Sequence, residues 1–170
     1  MTAVVDMDAT PAGLARRFAA FLYEGVLLFG VVFFTGFLYS VLTRQQHALE
    51  GRTGLGIVLL FVLALYFIGF WTHTGQTLAM KTWHLRVVDS AGQPLGWGRA
   101  ALRYVLSWLW FLPALVSVWA LNLHGGGAIV GSLIAGIAAY LLIARLHPQR
   151  QFLHDTIAGS RIITQLPQRS

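Results

Sequence analysis

Four charged side chains of this 170-residue chain, three at or within its apolar stretches and one in the tail that follows them, could bind or transfer charge. They are Arg17, Glu24, Arg103 and Asp155. Glu24 interrupts an apolar run over residues 18–42. An ionisable group inside a membrane helix is costly and marks a functional site that includes a partner for it. Glu24 is therefore the first candidate for a functional role.

The partner of each charge can be argued from helix geometry. Arg17 and Glu24 are seven positions apart, so both lie on one face of a helix. They are also separated by roughly 10 Å along its axis, which favours a separate partner for each. We predict that Arg103 pairs with Glu24 and that Asp155 pairs with Arg17.

Three interpretations of this charged set remain open. The charges form a structural ion-pair network that orients the helices, or Glu24 carries a proton or a cation, or its carboxylate simply faces the lipid headgroups. A carboxyl group that changes its protonation in a dry site is what a proton carrier requires.

Other chemistries find no support in the residue pattern. The chain has no Cys, which excludes disulfides and thiolate metal sites. Its six His form neither an H-E-x-x-H motif nor a cluster of ligands. His154 beside Asp155 is either an acid–base pair or, as we favour, an interfacial His. No serine stands in a G-x-S-x-G or S-x-x-K context, so we predict no enzyme, metal or cofactor.

The elements that position these residues are apolar runs. The chain is 56% hydrophobic and 11% charged, whereas soluble domains carry about a quarter charged residues. Runs of this length can cross the bilayer as helices. We predict an all-α membrane protein, a bundle of four transmembrane helices at about 18–42, 55–71, 100–121 and 127–146. The membrane domain is 16–165, between tails at 1–15 and 166–170.

Three local features modify this bundle. Residues 82–88 are rich in β-formers and precede a turn cluster, which predicts a strand. Residues 160–164 are a second candidate strand, and the two are expected to pair as a short hairpin-like element. Pro113 predicts a kink in the third span, because proline removes a helix hydrogen bond.

The basic residues indicate the orientation. Four spans place ten of the twelve Lys and Arg on the side of both termini and of the loop 72–99. The positive-inside rule then places that side in the cytoplasm of a bacterial inner membrane. Anionic lipid of the inner leaflet is the expected partner of this charge. No recognition motif supports nucleic-acid binding.

The fourth span carries small residues every four positions. They are Gly127, Gly131, Ala135 and Ala139. Small residues at this spacing let another helix approach closely. We favour packing within the chain against the first or third span, and contact with a second copy or another membrane protein is the alternative.

Two linked motifs complete the set of candidate residues. One is G-Q-T-L-A-M-K at 75–81, and the other is L-H-D-T-I-A-G-S at 153–160. Together with Arg17, Glu24 and Arg103, they resemble the RDD family of bacterial integral membrane proteins over about residues 14–164. The matching loop positions are Gly75, Gln76, Thr77, Lys81 and His154. Glu24 stands where that family usually has Asp, which makes the side chain one methylene longer.

The resemblance implies a multi-pass membrane protein. Transport, including cation/proton exchange, has been suggested for members of the family. We therefore expect a small cation/proton-coupled transporter or transport subunit. The alternative is a non-transporting assembly or envelope-maintenance protein that docks a partner or anionic lipid on its cytoplasmic face.

Overall fold

The computed structural model describes residues 12–44, 52–146 and 152–165. The elements follow in the order α1 (Leu14–Thr43), α2 (Arg52–His73), α3 (Leu78–Thr82), β1 (Leu85–Asp89), α4 (Trp97–Ser107), a 3₁₀ turn (Trp108–Trp110), α5 (Leu112–Ala120), α6 (Gly126–Leu146), α7 (Leu153–Ile157) and β2 (Ser160–Thr164). Most of the predicted tails, at 1–11 and 166–170, lie outside the described residues.

Three of the described helices are long and apolar enough to cross a membrane, namely α1, α2 and α6. The stretch from α4 through α5 meets the same test as one unit that is bent by 43°, which brings the number of candidate spans to four. The prediction of an all-α membrane protein is confirmed. At 30 residues, α1 is about 45 Å long and exceeds the ~30 Å apolar core of a bilayer.

The predicted kink in the third span lies one turn earlier than Pro113. The helix tightens into the 3₁₀ turn at 108–110 and restarts at Leu112, so that Pro113 falls within the first turn of α5. A proline ring clashes with the carbonyl four residues before it, here that of Leu109, while the first turn of a helix tolerates proline. The break therefore falls ahead of the proline.

A two-stranded sheet forms beside the bundle. β1 begins at Leu85 rather than at 82, because Thr82 ends α3 and His84 takes a left-handed φ of 53°. β1 pairs antiparallel with β2, from Leu85↔Thr164 to Asp89↔Ser160. The predicted pairing is confirmed, but the element is no hairpin, because the helices α4 to α7 lie between its strands in the chain.

We call α3, β1, α7 and β2 together the cap. It packs against the first residues of α1, where the N–H of Ala12 donates to the carbonyl of Ile162 at 3.3 Å. It also meets the end of α2, because the N–H of Val87 donates to the carbonyl of Gly75 at 2.8 Å. Gly75 has φ +72°, and a Cβ there would lie 2.7 Å from the Val87 carbonyl oxygen, so only glycine fits.

The fourth span packs through a different face from the predicted one. Gly127, Gly131, Ala135 and Ala139 are all exposed in the chain. Buried residues of this span stand one position after predicted ones in the sequence. Among them, Gly136 lies against Ala114 of α5. Packing against the third span is thus confirmed, but the predicted face was wrong, because Gly136 is where α5 approaches. Contact of the exposed face with a second copy stays a prediction.

Candidate functional site

A buried ion pair joins α4 to the cap. The Nε and Nη2 atoms of Arg103 both lie 2.8 Å from Oδ1 of Asp155. The Asp155 side chain is completely buried, and that of Arg103 is 5% exposed. The guanidinium also stacks over the ring of Trp71, 4.1 Å from its centroid. Because the pair is buried, dissolved salt screens it much less than a surface pair.

His154 extends this pair towards α6. Its Nδ1 lies 2.9 Å from the hydroxyl of Tyr140, and its Nε2 lies 3.5 Å from Oδ1 of Asp155. Burial lowers the pKa of His154 from its ordinary value of 6.5 to about 4, although Asp155 opposes the shift. The imidazole is therefore neutral at pH 7. We call Arg103, Asp155, His154 and Tyr140 the clamp.

The carboxylate of the clamp stays charged. Burial alone would raise the pKa of Asp155, but the guanidinium groups of Arg103 and Arg17 lower it below its ordinary value, and His154 adds to this when it is protonated. Its Oδ1 also accepts a hydrogen bond from the hydroxyl of Ser160 at 3.3 Å. The clamp is thus a fixed charge pair that ties α4, α6 and α7 together.

The predicted pairing of Glu24 with Arg103 is wrong. Arg103 is taken by Asp155, and Glu24 is held by two hydroxyl groups instead. Tyr66 of α2 donates to its Oε1 at 2.7 Å, and Thr77, just before α3, donates to its Oε2. Among the described residues, no Lys, Arg or His nitrogen lies within 4.0 Å of this carboxylate.

Thr77 connects this carboxylate to the loop motif. Its hydroxyl accepts the N–H of Met80 at 3.2 Å, which caps the start of α3, and it donates to Glu24. Gln76 fixes the same loop by donating from Nε2 to the carbonyl of Leu85 at 2.6 Å. Lys81 is exposed at the end of α3 and takes no part.

Arg17 lies between the two carboxylates. It is 3% exposed, and its Nη2 donates to the carbonyl of Ile162 in β2 at 3.1 Å. Its charge acts on that of Asp155, the partner that we predicted for it, and its guanidinium lies 5.8 Å from the ring centroid of Phe152. Arg17 thereby ties the first turn of α1 to the cap.

A half-open cavity of about 290 Å³ adjoins these groups. It lies between α1 and the bent third span, with α2 and the cap as further walls. Its polar lining includes Arg17, Glu24, Arg103 and His154, and the remainder is largely aromatic or aliphatic. An apolar cavity with a few convergent polar groups is the usual form of a small-molecule site. In the described part of the chain, no three His, Asp or Glu side chains converge as metal ligands.

The model of the RDD family matches residues 11–159, which include α1, the loop motif, Arg103 and Asp155. The chain belongs to the RDD family. No curated protein and no solved structure matches it. In this member of the RDD family, the Arg, Glu and Asp of the motif gather at one end of the bundle, but only the Asp is held in an Arg salt bridge.

Sequence reasoning missed Tyr66 as part of the site. Its signal was present, because Tyr66 is the one side chain able to donate a hydrogen bond between Leu55 and Phe70. Thr77 was singled out only through the family motif. Both lie far from Glu24 in the sequence, at separations of 42 and 53 residues.

Proposed function

We propose that this RDD-family protein is a small cation/proton-coupled transporter or the membrane subunit of one, in which Glu24 holds either a proton or a cation. One observation carries the proposal. The carboxylate lies on the wall of a cavity between candidate spans, and hydroxyl groups rather than a basic side chain hold it.

The chemistry follows from the partners of Glu24. Hydroxyl groups satisfy the lone pairs of a carboxylate but leave its net charge in place. A charge inside a bilayer is costly, and a proton or a monovalent cation removes that cost. Because one carboxylate neutralises only one such charge, the two ligands compete for it. That competition is the basis of coupled exchange.

Access to the carboxylate from both sides of the membrane is a further requirement of transport. Glu24 lines a partly open cavity, and we infer that its opening is one of these routes. Four short spans enclose little further space, so a second copy or another subunit would complete the pathway.

We assign the cap to the cytoplasm of a bacterial inner membrane. Basic residues lie in the cap and at the helix ends beside it: Arg86 in β1, Arg161 in β2, and Arg16 and Arg99 in the first turns of α1 and α4. Loops rich in Lys and Arg stay on the cytoplasmic side, where anionic lipid stabilises each basic residue by about 1 kcal/mol.

Ion flux in proteoliposomes tests the proposal. Internal pH is followed while gradients of Na⁺, K⁺ or an organic ammonium ion are imposed on the native protein, on Glu24→Gln and on Asp89→Asn. Asp89→Asn is the matched control. It also removes a carboxylate, but from a pair with Arg99, which is 54% exposed. We expect flux from the native protein and Asp89→Asn and none from Glu24→Gln. Absence of flux from folded native protein under every gradient would contradict transport.

The alternative, a platform for membrane assembly, draws on the clamp. A buried ion pair fixes the cap on the bundle and so presents a rigid basic surface. Such a surface would dock a partner or anionic lipid without any exchange at Glu24. Capture of a defined partner that depends on the loop 75–98, together with no flux, would favour this role.

A further inference from the structure

We propose that the cavity beside Glu24 binds a small organic cation, a quaternary or protonated amine with an apolar body. This inference rests on the proposed function and names the class of its substrate. Three features of the described residues support it: the charge at the cavity, the nature of its walls, and the scarcity of oxygen atoms on them.

Glu24 is the one carboxylate among the described residues that line the cavity, and two hydroxyl groups hold it. Arg103 also reaches the cavity, but its guanidinium is neutralised by Asp155 at 2.8 Å. Arg17 lies roughly 10 Å away along α1, at seven residues and ~1.5 Å per residue, and its guanidinium is directed to the carbonyl of Ile162. The third positively chargeable group on the wall, His154, is neutral. Within the described ranges no salt bridge holds Glu24, so a cation next to its ionised carboxylate meets an anion.

Aromatic side chains from α1, α2 and the third span line the cavity, although the Arg103 guanidinium covers one face of Trp71. Phe21, one turn before Glu24 on α1, stacks on Trp110 at 4.7 Å between centroids. On α2, Phe67 packs against Trp71 at 5.2 Å and against Tyr104 at 6.2 Å. The face of an aromatic ring carries negative potential and attracts organic ammonium groups. An apolar body on the same ligand is buried against the rings at the same time.

A small inorganic cation fits these walls poorly. Of the described residues that line the cavity, three carry a side-chain oxygen: Glu24, Tyr104 and Ser107. The wall thus offers four side-chain oxygen atoms at most, two from Glu24 and one each from Tyr104 and Ser107. Hard cations need about six oxygen ligands or retain their water. An organic cation needs no such shell, and 290 Å³ lies at the lower end of the ~300–1,000 Å³ typical of small-molecule sites.

Equilibrium dialysis with labelled benzyltrimethylammonium tests this inference on the purified full chain in detergent. Neopentylbenzene is a neutral isostere of the probe, and NaCl supplies a small cation. We expect saturable binding of the probe. Neither neopentylbenzene nor NaCl should displace it when present at the same concentration as the probe. We expect Glu24→Gln to weaken binding at least about tenfold, the effect of removing one partner of a buried charge pair. Equal competition by neopentylbenzene, displacement by equimolar NaCl, or unchanged binding to folded Glu24→Gln would overturn the inference.

A second pair of variants removes one ring and keeps the carboxylate. Phe21→Leu takes an aromatic face from the cavity, whereas Phe29→Leu makes the same change on α1 at a side chain that is 72% exposed. Loss of a cation–aromatic contact should weaken binding of the probe by about two- to thirtyfold in Phe21→Leu alone. Equal affinities in the two folded variants would show that the rings do not hold the cation and would overturn the inference.

Binding and flux separate this inference from the proposed function. Flux of Na⁺ or K⁺ that requires Glu24, without any binding of benzyltrimethylammonium, would leave transport standing and overturn the organic-cation site. Glu24-dependent binding of the probe without flux of any cation would support the site and contradict transport.

Discussion

Two buried carboxylates, Glu24 and Asp155, are held in opposite ways. Asp155 accepts two hydrogen bonds from the guanidinium of Arg103 and is completely buried. Glu24 is 8% exposed and accepts one hydroxyl on each oxygen. The first charge is neutralised by the protein itself, and the second is solvated by neutral groups.

The difference assigns the two carboxylates to different tasks. A neutralised pair that joins α4 to the cap has no charge left for a ligand, and it fixes the structure. A carboxylate that faces a cavity without a salt bridge retains a charge that a ligand can neutralise. The following predictions would break or sharpen this contrast, from the largest expected effect to the smallest.

Loss of the clamp should have the largest effect on stability. Arg103→Ala leaves Asp155 buried without its cation, which typically costs about 3–5 kcal/mol in the free energy of unfolding. Arg99→Ala removes the same type of side chain from a pair with Asp89, in which Arg99 is 54% exposed, and should cost at most about 1 kcal/mol. Unfolding of both variants in detergent measures the contrast, and equal losses would show that the clamp is no more structural than a surface pair.

Acid should weaken the clamp through His154. The unfolded chain takes up a proton at His154 near pH 6.5, whereas the folded chain stays neutral down to about pH 4. The free energy of unfolding therefore falls as the pH decreases from 6.5 to 4, by about 3 kcal/mol at ~1.4 kcal/mol per pH unit. Below that range Asp155 adds to the loss in the same direction, because its folded pKa is also lowered.

The measurement is the thermal midpoint of unfolding against pH. His154→Gln should flatten the slope between pH 6.5 and 4, and His124→Gln, at an exposed position, should leave it unchanged. A slope that survives in His154→Gln would assign the acid sensitivity to another group.

The sequence predicted the helices better than the contacts. Long apolar runs suffice to place α1, α2 and α6, because burial in lipid is a property of composition. The partner of Glu24 required knowledge of which helices meet. Opposite charge led us to predict Arg103 as that partner. In the fold, the hydroxyls of Tyr66 and Thr77 bind Glu24 instead. Likewise, a four-residue spacing identified a small-residue helix in α6 but not the face that meets α5.

Substitutions in α6, the helix that carries Tyr140 of the clamp, should change the free energy of unfolding by less. A Cβ at Gly136 would lie 3.0 Å from the Cβ of Ala114, whereas nothing lies within 4 Å of one at Gly131. Gly136→Ala should destabilise by about 1–3 kcal/mol through overpacking. Gly131→Ala should be neutral or stabilise by up to about 1 kcal/mol, because alanine favours the helix. Equal stabilities of the two variants would contradict this packing of α5 and α6.

Substitution of Thr77, which donates a hydrogen bond to Glu24, should change the stability least. Thr77→Val removes a helix cap and a hydrogen bond to Glu24, for a loss of about 1–2 kcal/mol. Thr77→Ser keeps the hydroxyl and should stay close to the native protein in stability and in ion flux. If Thr77→Ser lost as much as Thr77→Val, the methyl group rather than the hydroxyl would be the important part.

Proton release on cation binding tests most directly whether Glu24 exchanges one charge for another. Na⁺, K⁺ or benzyltrimethylammonium is added to weakly buffered protein across a pH series, and released protons are counted per bound cation. Other titratable groups surround the site, among the described residues Arg17, Tyr66, Arg103, Tyr104, His154 and Asp155, so Glu24→Gln is measured alongside. The account predicts about one proton per cation from native protein, at the pH values where Glu24 is protonated. It predicts none from Glu24→Gln. Cation binding without proton release at any pH, or equal release from Glu24→Gln, would contradict it.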